Sequence, residues 1–445
     1  MFHLDEESLE EGKQLLRSLI RINTTNPPGN EAQAVVFLQT LLEREGISTV
    51  VLEPEPGRAN LIARIRGNGT EQPLLLSCHL DVVPAEAGDW THPPFGGVES
   101  QGCIWGRGAL DMKGFAAMAL TVFRRIHRNR QSLKRDIIFA AVADEEAGCG
   151  LGSSYLVNHH PGLVRAEYVI NELGGFNIDI RGKRFYLIQR AERGAAWLRL
   201  TFRGKPGHSS LPVRTSSLSE AARAIQALHS KRFPHHPNEA ALDFLKAVSR
   251  HRPWVERAVL HALRYPRLGA FLLHSLIPSG SQRQSIQASL SNSVTPTVIR
   301  AGEKVNVLPS ETVLQLDGRI VPGSSSEELI RELRSIIGPA GELDVLSEHP
   351  PVQVSTQTPL YREIENVLRE RDPEANPAPY LVSGFTDSWN WARLGAHCYG
   401  FYPLRLPEGF DFAALFHGVD ERIPIEGFRF GVECLYDLIE RVAFA

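Results

Sequence analysis

The chain has 445 residues, 42% hydrophobic and 22% charged, an ordinary globular mixture with enough apolar material for two or three domains. Lys and Arg number 48 against 51 Asp and Glu, a formal net charge of −3, which argues against a dedicated nucleic-acid binder because such proteins carry a basic excess. No uninterrupted apolar run approaches the ~18–20 residues of a membrane-spanning helix. The acidic start MFHLDEESLEEGKQLL lacks the basic beginning and apolar centre of a signal peptide. Five scattered cysteines without a CxxC pair read as reduced thiols in a cytoplasmic protein.

In chain order, residues 6–19 pattern as an amphipathic helix, and NTTNPPGN is a loop leading into a second helix near 31–45. Apolar runs at 74–76, 137–142 and 168–170 read as strands; a Gly/Pro-rich loop (89–108) and a helical stretch (113–128) lie between the first two. Strands alternating with helices predict an α/β domain with a mostly parallel sheet. The texture changes near residue 191: a strand at 197–202, a helix at 216–229, strands at 293–299 and 312–320, a helix at 325–337 and a strand at 343–346. That βαββαβ order is the ferredoxin-like arrangement. The expected organisation is therefore a discontinuous α/β domain from 1–190 and 353–445, interrupted by an α+β module at 191–352.

Within the module, residues 232–283 exceed a simple connection. They contain HRPWVERAVLHALRYPRLGAFLLHSLIP, basic and with apolar residues at roughly helical spacing. We read it as a helical hairpin packed on the module. The alternative is an apolar cover for a hydrophobic substrate or a membrane-surface contact; membrane contact is not the expectation adopted.

Three apolar strands end in imidazole or acidic side chains: the first in His79 and Asp81, the second in Asp144, Glu145 and Glu146, the third in Asn171 and Glu172. Asp111 precedes the 113–128 helix. Singly, each has a plain explanation: a satisfied buried histidine, a solvated strand end, a helix N-cap. Together they converge, because ligands of open α/β sheets bind beyond the carboxyl ends of the strands. Carboxylates crowded there need a cation.

The strings SCHLDVVP, WTHPPF, GRGALDMKG, ADEEAG and FHGVDERIP resemble the zinc aminoacylase/carboxypeptidase family of peptidase clan MH. Its members include aminoacylases, acetylornithine deacetylase, succinyl-diaminopimelate desuccinylase and glutamate carboxypeptidases. The resemblance implies two divalent metal ions, Zn²⁺ with Co²⁺ or Mn²⁺ as substitutes. His79 and Glu172 would hold one ion, Glu146 and His417 the other, and Asp111 would bridge them. Asp81 would orient His79, and Glu145 would act as general base on a metal-bridged hydroxide. His208, in GKPGHSS, would reach across a dimer interface to stabilise the oxyanion. Asn306 (KVNVLPSE), Arg319 (DGRIVP) and the SGFTDS loop with Gly384 and Thr386 would contact substrate, Arg319 through a carboxylate.

The implied activity is hydrolysis of an amide or peptide bond next to a free carboxylate, in an N-acyl amino acid or a short peptide. A dipeptidase or aminopeptidase is the alternative. A non-catalytic relative would have lost a ligand or the base, and none is missing here. The inserted module would be a lid and dimerisation domain, so a homodimer is expected. Phe385 fills the variable slot of the SGFTDS loop, and Trp389 stands where many relatives carry a basic residue. Both point to an apolar substrate group.

Overall fold

The structure, a computed structural model, describes residues 1–129, 132–210 and 213–444. The chain divides into two compact units. The first is Met1–Arg190, Val354–Ala378 and Thr386–Ala445; the second is Ala191–Gln353 and Pro379–Phe385. Pro379–Phe385, read from the sequence with the larger domain, groups with the second unit, where the Phe385 ring stacks on His349 at 4.8 Å.

The first unit is built on a mixed sheet. From one edge its strands run Thr49–Glu55, Arg58–Ile65, Ile137–Val142, Leu74–His79, Tyr168–Asn171, His397–Gly400 and Lys183–Glu192. The middle four are parallel and the flanking ones antiparallel. Ile137–Val142, Leu74–His79 and Tyr168–Asn171 are buried along their whole length. Continuous apolar runs of this kind suit central strands covered on both faces. On one face, Leu75, Ile138, Ala140 and Val169 pack with Leu156 and Trp391. On the other lies helix Lys113–Asn129, its Phe123 ring 5.9 Å from that of Phe139. This helix is buried over most of its length because helices Glu6–Arg21 and Ile425–Ala443 pack against it.

Local chemistry places that central helix. Lys113 is wholly buried, and its ammonium donates to the carbonyls of Leu19 (3.0 Å) and Ile22 (2.7 Å). It thereby satisfies the open C-terminal end of the first helix. At Gly114 a Cβ would lie 2.1 Å from Tyr402 Oη and 2.2 Å from Ala109 O, so the turn that begins the helix admits no side chain there. The predicted loop at 89–108 carries two short strands, Val98–Ser100 and Cys103–Trp105. The latter pairs with Arg422–Pro424, a partner far along the chain that local pattern could not supply.

In the second unit, strands Gly194–Arg203, Ser293–Ala301, Glu311–Ile320 and Glu342–His349 form an antiparallel sheet in which the second and fourth in chain order take the edges. Helices Ser217–Ser230 and Ser326–Ile337 cover one face through Ala221, Ala224, Leu329 and Leu333. This is the ferredoxin-like topology that the βαββαβ order predicts. The stretch read as a helical hairpin carries two short helices, Trp254–Ala262 and Pro266–Ser275, that pack on each other, with Pro253 and Pro266 at their starts. They lie within an insert of four helices that also has Glu239–Ser249 and Ser281–Leu290.

Candidate metal centre

Strands Ile137–Val142, Leu74–His79 and Tyr168–Asn171 are neighbours and parallel, with His79 opposite Val142 and Leu76 opposite Ile170. Their carboxyl ends therefore emerge side by side and deliver His79, the Glu145–Glu146 turn and Glu172 to one place. His79 Nε2 lies 3.0 Å from Asp111 Oδ1, 3.6 Å from Glu172 and 4.0 Å from Glu145. His417 Nε2 lies 2.7 Å from Asp111 Oδ2 and 3.2 Å from Glu146 Oε1. Asp111 thus faces both imidazoles, one with each oxygen. His417 and Asp144 hold left-handed backbone, φ 59° and 69°, uncommon for residues with a Cβ and concentrated at functional sites.

A buried network holds these groups. His79 Nδ1 is 3.0 Å from the Asp81 carbonyl and 3.5 Å from its carboxylate, which turns Nε2 toward Asp111. The Asp81 carboxylate also accepts from the backbone N–H of Glu145 (3.2 Å), that of Glu146 (3.1 Å) and the Asn26 amide (2.9 Å). Behind the turn, Arg58 bridges buried Glu31 (2.7 Å) and Asp144 (2.8 Å). Across the site, Glu421 accepts from Leu110 N (2.6 Å), Asp111 N (3.0 Å) and Gly108 N (3.0 Å), and pairs with Arg107 at 2.7 Å. Arg107 also donates to the His417 carbonyl at 3.2 Å.

The electrostatics calls for cations. Among the described residues, the ion-pair partners of Asp111, Glu145, Glu146 and Glu172 are the two histidines alone. Burial and then Glu172 push the Glu145 carboxyl well above its usual range. Burial and Asp111 bring Glu146 to about 7, and burial outweighs His79 to bring Glu172 to about 8. Burial opposes the His417 imidazolium, but Asp111 and Glu146 raise it to about 10. Without cations, then, this cluster retains protons that metal ions would displace. Two overlapping groups, His79/Glu145/Glu172 and His79/Asp111/Glu146, each keep one donor atom per residue within 4.8 Å. Imidazole and carboxylate donors without thiolate suit a borderline divalent ion.

Thr386 is wholly buried. Its hydroxyl accepts from Asn171 (3.2 Å) and contacts Ser388 Oγ at 2.9 Å, so the side chain fastens its own loop rather than offering itself to a ligand. His208, Asn306, Arg319 and Gly384 belong to the second unit. There His208 pairs in a short ribbon opposite Val307, beside Asn306, whose carbonyl accepts from Ser209 N at 3.2 Å. Asn306 Oδ1 is buried with no partner among the described residues. Arg319 gives Nε to Asp317 at 2.9 Å and stands over the Phe385 ring at 5.6 Å. Sequence reasoning missed Glu421, Arg58 and Asn26. Only the place of Glu421 within the string FHGVDERIP could have drawn notice to it.

Parallel strand ends thus gather buried carboxylates and imidazoles into a candidate metal centre in which, among the described residues, no lysine or arginine pairs with Asp111, Glu145, Glu146 or Glu172. Residues 75–441 match the model of peptidase family M20/M25/M40, and the chain belongs to that family of amide- and peptide-bond hydrolases. It is 29% identical over 384 residues to human N-fatty-acyl-amino acid synthase/hydrolase PM20D1, a match covering 83% of this chain and 74% of that protein. It is 25% identical to human aminoacylase-1 over 444 residues, 96% of this chain and 94% of that one. Among solved structures, the M20 metallo-carboxypeptidase Sso-CP2 from Sulfolobus solfataricus superposes with a TM-score of 0.74 at 18% identity, covering 98% of this chain and 99% of that one.

Proposed function

We propose that the protein is a di-zinc deacylase of N-acyl amino acids, cleaving the amide bond next to a free carboxylate and favouring lipophilic acyl groups. The observation that carries the reading is the Asp111 carboxylate shared between His79 and His417, with Glu146 and Glu172 alongside and no lysine or arginine pairing with any of them among the described residues. His79, Asp111 and Glu172 would hold one ion, and Asp111, Glu146 and His417 would hold the other. When bound, the ions supply Lewis-acid polarisation and lower the pKa of a water toward ~7.

The chain's own groups do the rest. Glu145, whose backbone N–H is fixed by Asp81 at 3.2 Å, accepts the proton of the attacking water and passes it to the leaving amine. Arg319 presents its terminal nitrogens to the substrate carboxylate while Asp317 holds Nε. Asn306, with a buried Oδ1 lacking a partner, and His208 supply polar contacts to the reacting amide. Gly384, where a Cβ would meet nothing within 4 Å, leaves room for substrate. Phe385 and Trp389, together with the likeness to a protein named for N-fatty-acyl amino acids, support the lipophilic preference. Zinc as the native metal, a homodimer and a cytoplasmic location belong to the same reading. That none of the five cysteines forms a disulfide supports the last.

The test is amine release by zinc-loaded protein from N-acetyl and N-long-acyl amino acids, blocked dipeptides and free dipeptides. Blocked substrates with long acyl chains are expected to turn over fastest. Preference for free dipeptides refutes the assignment and makes the protein a dipeptidase. Glu145→Ala is expected to lower kcat by ~10²–10⁴-fold with metal content unchanged.

A further inference from the structure

The four-helix insert of the second unit has a small core of its own, made by Ala241, Leu245, Leu263, Leu273, Ile286 and Leu290. That core does not use the insert's largest apolar side chains. Trp254 is 78% and Phe271 65% exposed, and Val255, Tyr265, Leu268 and Leu276 are exposed with them. Three of the four exposed aromatic side chains among the described residues lie within this short segment. Scattered exposed apolar residues need no explanation, but a concentration of large ones does.

Charge says what this surface fits. Residues 250–277 hold five arginines and one acidic residue, Glu256, in a chain of net charge −3. Glu256 pairs with Arg252 at 3.1 Å, while Arg250, Arg257, Arg264 and Arg267 are exposed. Helices Trp254–Ala262 and Pro266–Ser275 pack on each other and are far too short to cross a bilayer. Arginine beside exposed Trp, Tyr, Phe and Leu is the composition of helices that lie in the headgroup layer. A second copy of the chain fits poorly. A two-fold contact would set one arginine-rich surface against another, and Glu256, the one acidic residue of 250–277, already pairs with Arg252.

We propose that this insert docks the protein on an anionic lipid surface. Trp254 and Phe271 enter the headgroup layer, and Arg257, Arg264 and Arg267 meet the lipid phosphates. The proposal stands on this surface alone and not on the substrate assignment. The test is co-sedimentation of the full chain with vesicles of phosphatidylcholine alone or mixed with phosphatidylserine, at low and high salt. Binding is expected to the mixed vesicles only, and high salt should weaken it. Two double variants, Trp254→Ser/Phe271→Ser and Arg257→Glu/Arg267→Glu, should each reduce it by ~10-fold or more. Both should keep the wild-type melting temperature and turnover of a soluble N-acetyl substrate. No binding, equal binding to both vesicle types, or wild-type binding by either variant overturns the proposal. So does light scattering in which Trp254→Ser/Phe271→Ser converts a dimer to monomers, since the face would then be a subunit interface.

Discussion

Glu421 offers the sharpest test of how the metal-site loops are held, through Glu421→Gln. Its Oε1 accepts from Leu110 N and Asp111 N, and its Oε2 from Gly108 N and Arg107 Nη1. An amide has one oxygen, so whichever way Gln turns, two of these buried donors lose their acceptor. At ~1–3 kcal/mol for each unmet donor, the cost is ~2–6 kcal/mol, and it is higher if Arg107 is the donor left unpaired. The loss falls on the segment carrying Asp111 and, through Arg107, on the His417 carbonyl. Outer groups of this kind typically govern 10–100-fold of metal affinity. Zinc affinity by competition with a chelating dye is therefore expected to drop ~10–100-fold, with a lower melting temperature for the metal-free protein. Unchanged zinc affinity beside a lowered melting temperature would mean that Glu421 supports the fold and not the site. If neither changes, the accounting of its four donors is wrong.

Further outcomes follow from the same structure. Arg58→Met strands Glu31 and Asp144 without their counter-ion and should cost ~3–5 kcal/mol, read as a lowered denaturation midpoint of the first unit. Chelator should lower the melting temperature, because the carboxylates around Asp111 lose the ions that balance them. A ligand at ~1,000 times its Kd contributes ~4 kcal/mol, so zinc but not magnesium should restore it. In the second unit, Glu332 raises the His236 imidazole above its ordinary value against the pull of burial. A raised folded pKa contributes stability that is fully present below ~6.5 and is lost as pH rises through the folded value. His236→Leu should therefore destabilise most near pH 5.5 and least near pH 9; a pH-independent loss would refute the ion pair as its source.

Four residues of the proposed site, His79, Glu145, Glu146 and Glu172, were legible in the sequence because each stands at the end of an apolar run. Where a parallel strand finishes, its last side chain must meet either water or a ligand, and His79, Glu145, Glu146 and Glu172 finish adjacent runs. Asp111 was marked only by its place just before the 113–128 helix, and His417 was reachable only through resemblance, since no periodicity marks a loop residue. The helices at 6–19 and 113–128 were found to within two residues at their ends, as amphipathic patterns with charged flanks should be. The hairpin within 232–283 was legible because Pro253 and Pro266 mark the starts of its two helices, whereas the flanking helices Glu239–Ser249 and Ser281–Leu290 that complete the insert were not foreseen.

Composition and pattern alone determined an α/β domain interrupted by a ferredoxin-like module, and a donor set rich in imidazole and carboxylate. Those are local properties: apolar period, strand-end chemistry, the order of elements. Tertiary structure decided which side chains are spent on support and which are left for chemistry. Thr386 looked like a substrate contact and is buried against Asn171; Glu421, to which no pattern assigned a role, is the anchor of the Asp111 loop. Trp254 and Phe271 belong to an apolar pattern read as a packed hairpin and are exposed. In each case the partner, or its absence, lies tens to hundreds of residues away along the chain. Burial and hydrogen bonding are settled by which distant segments meet, which no window of neighbouring residues contains.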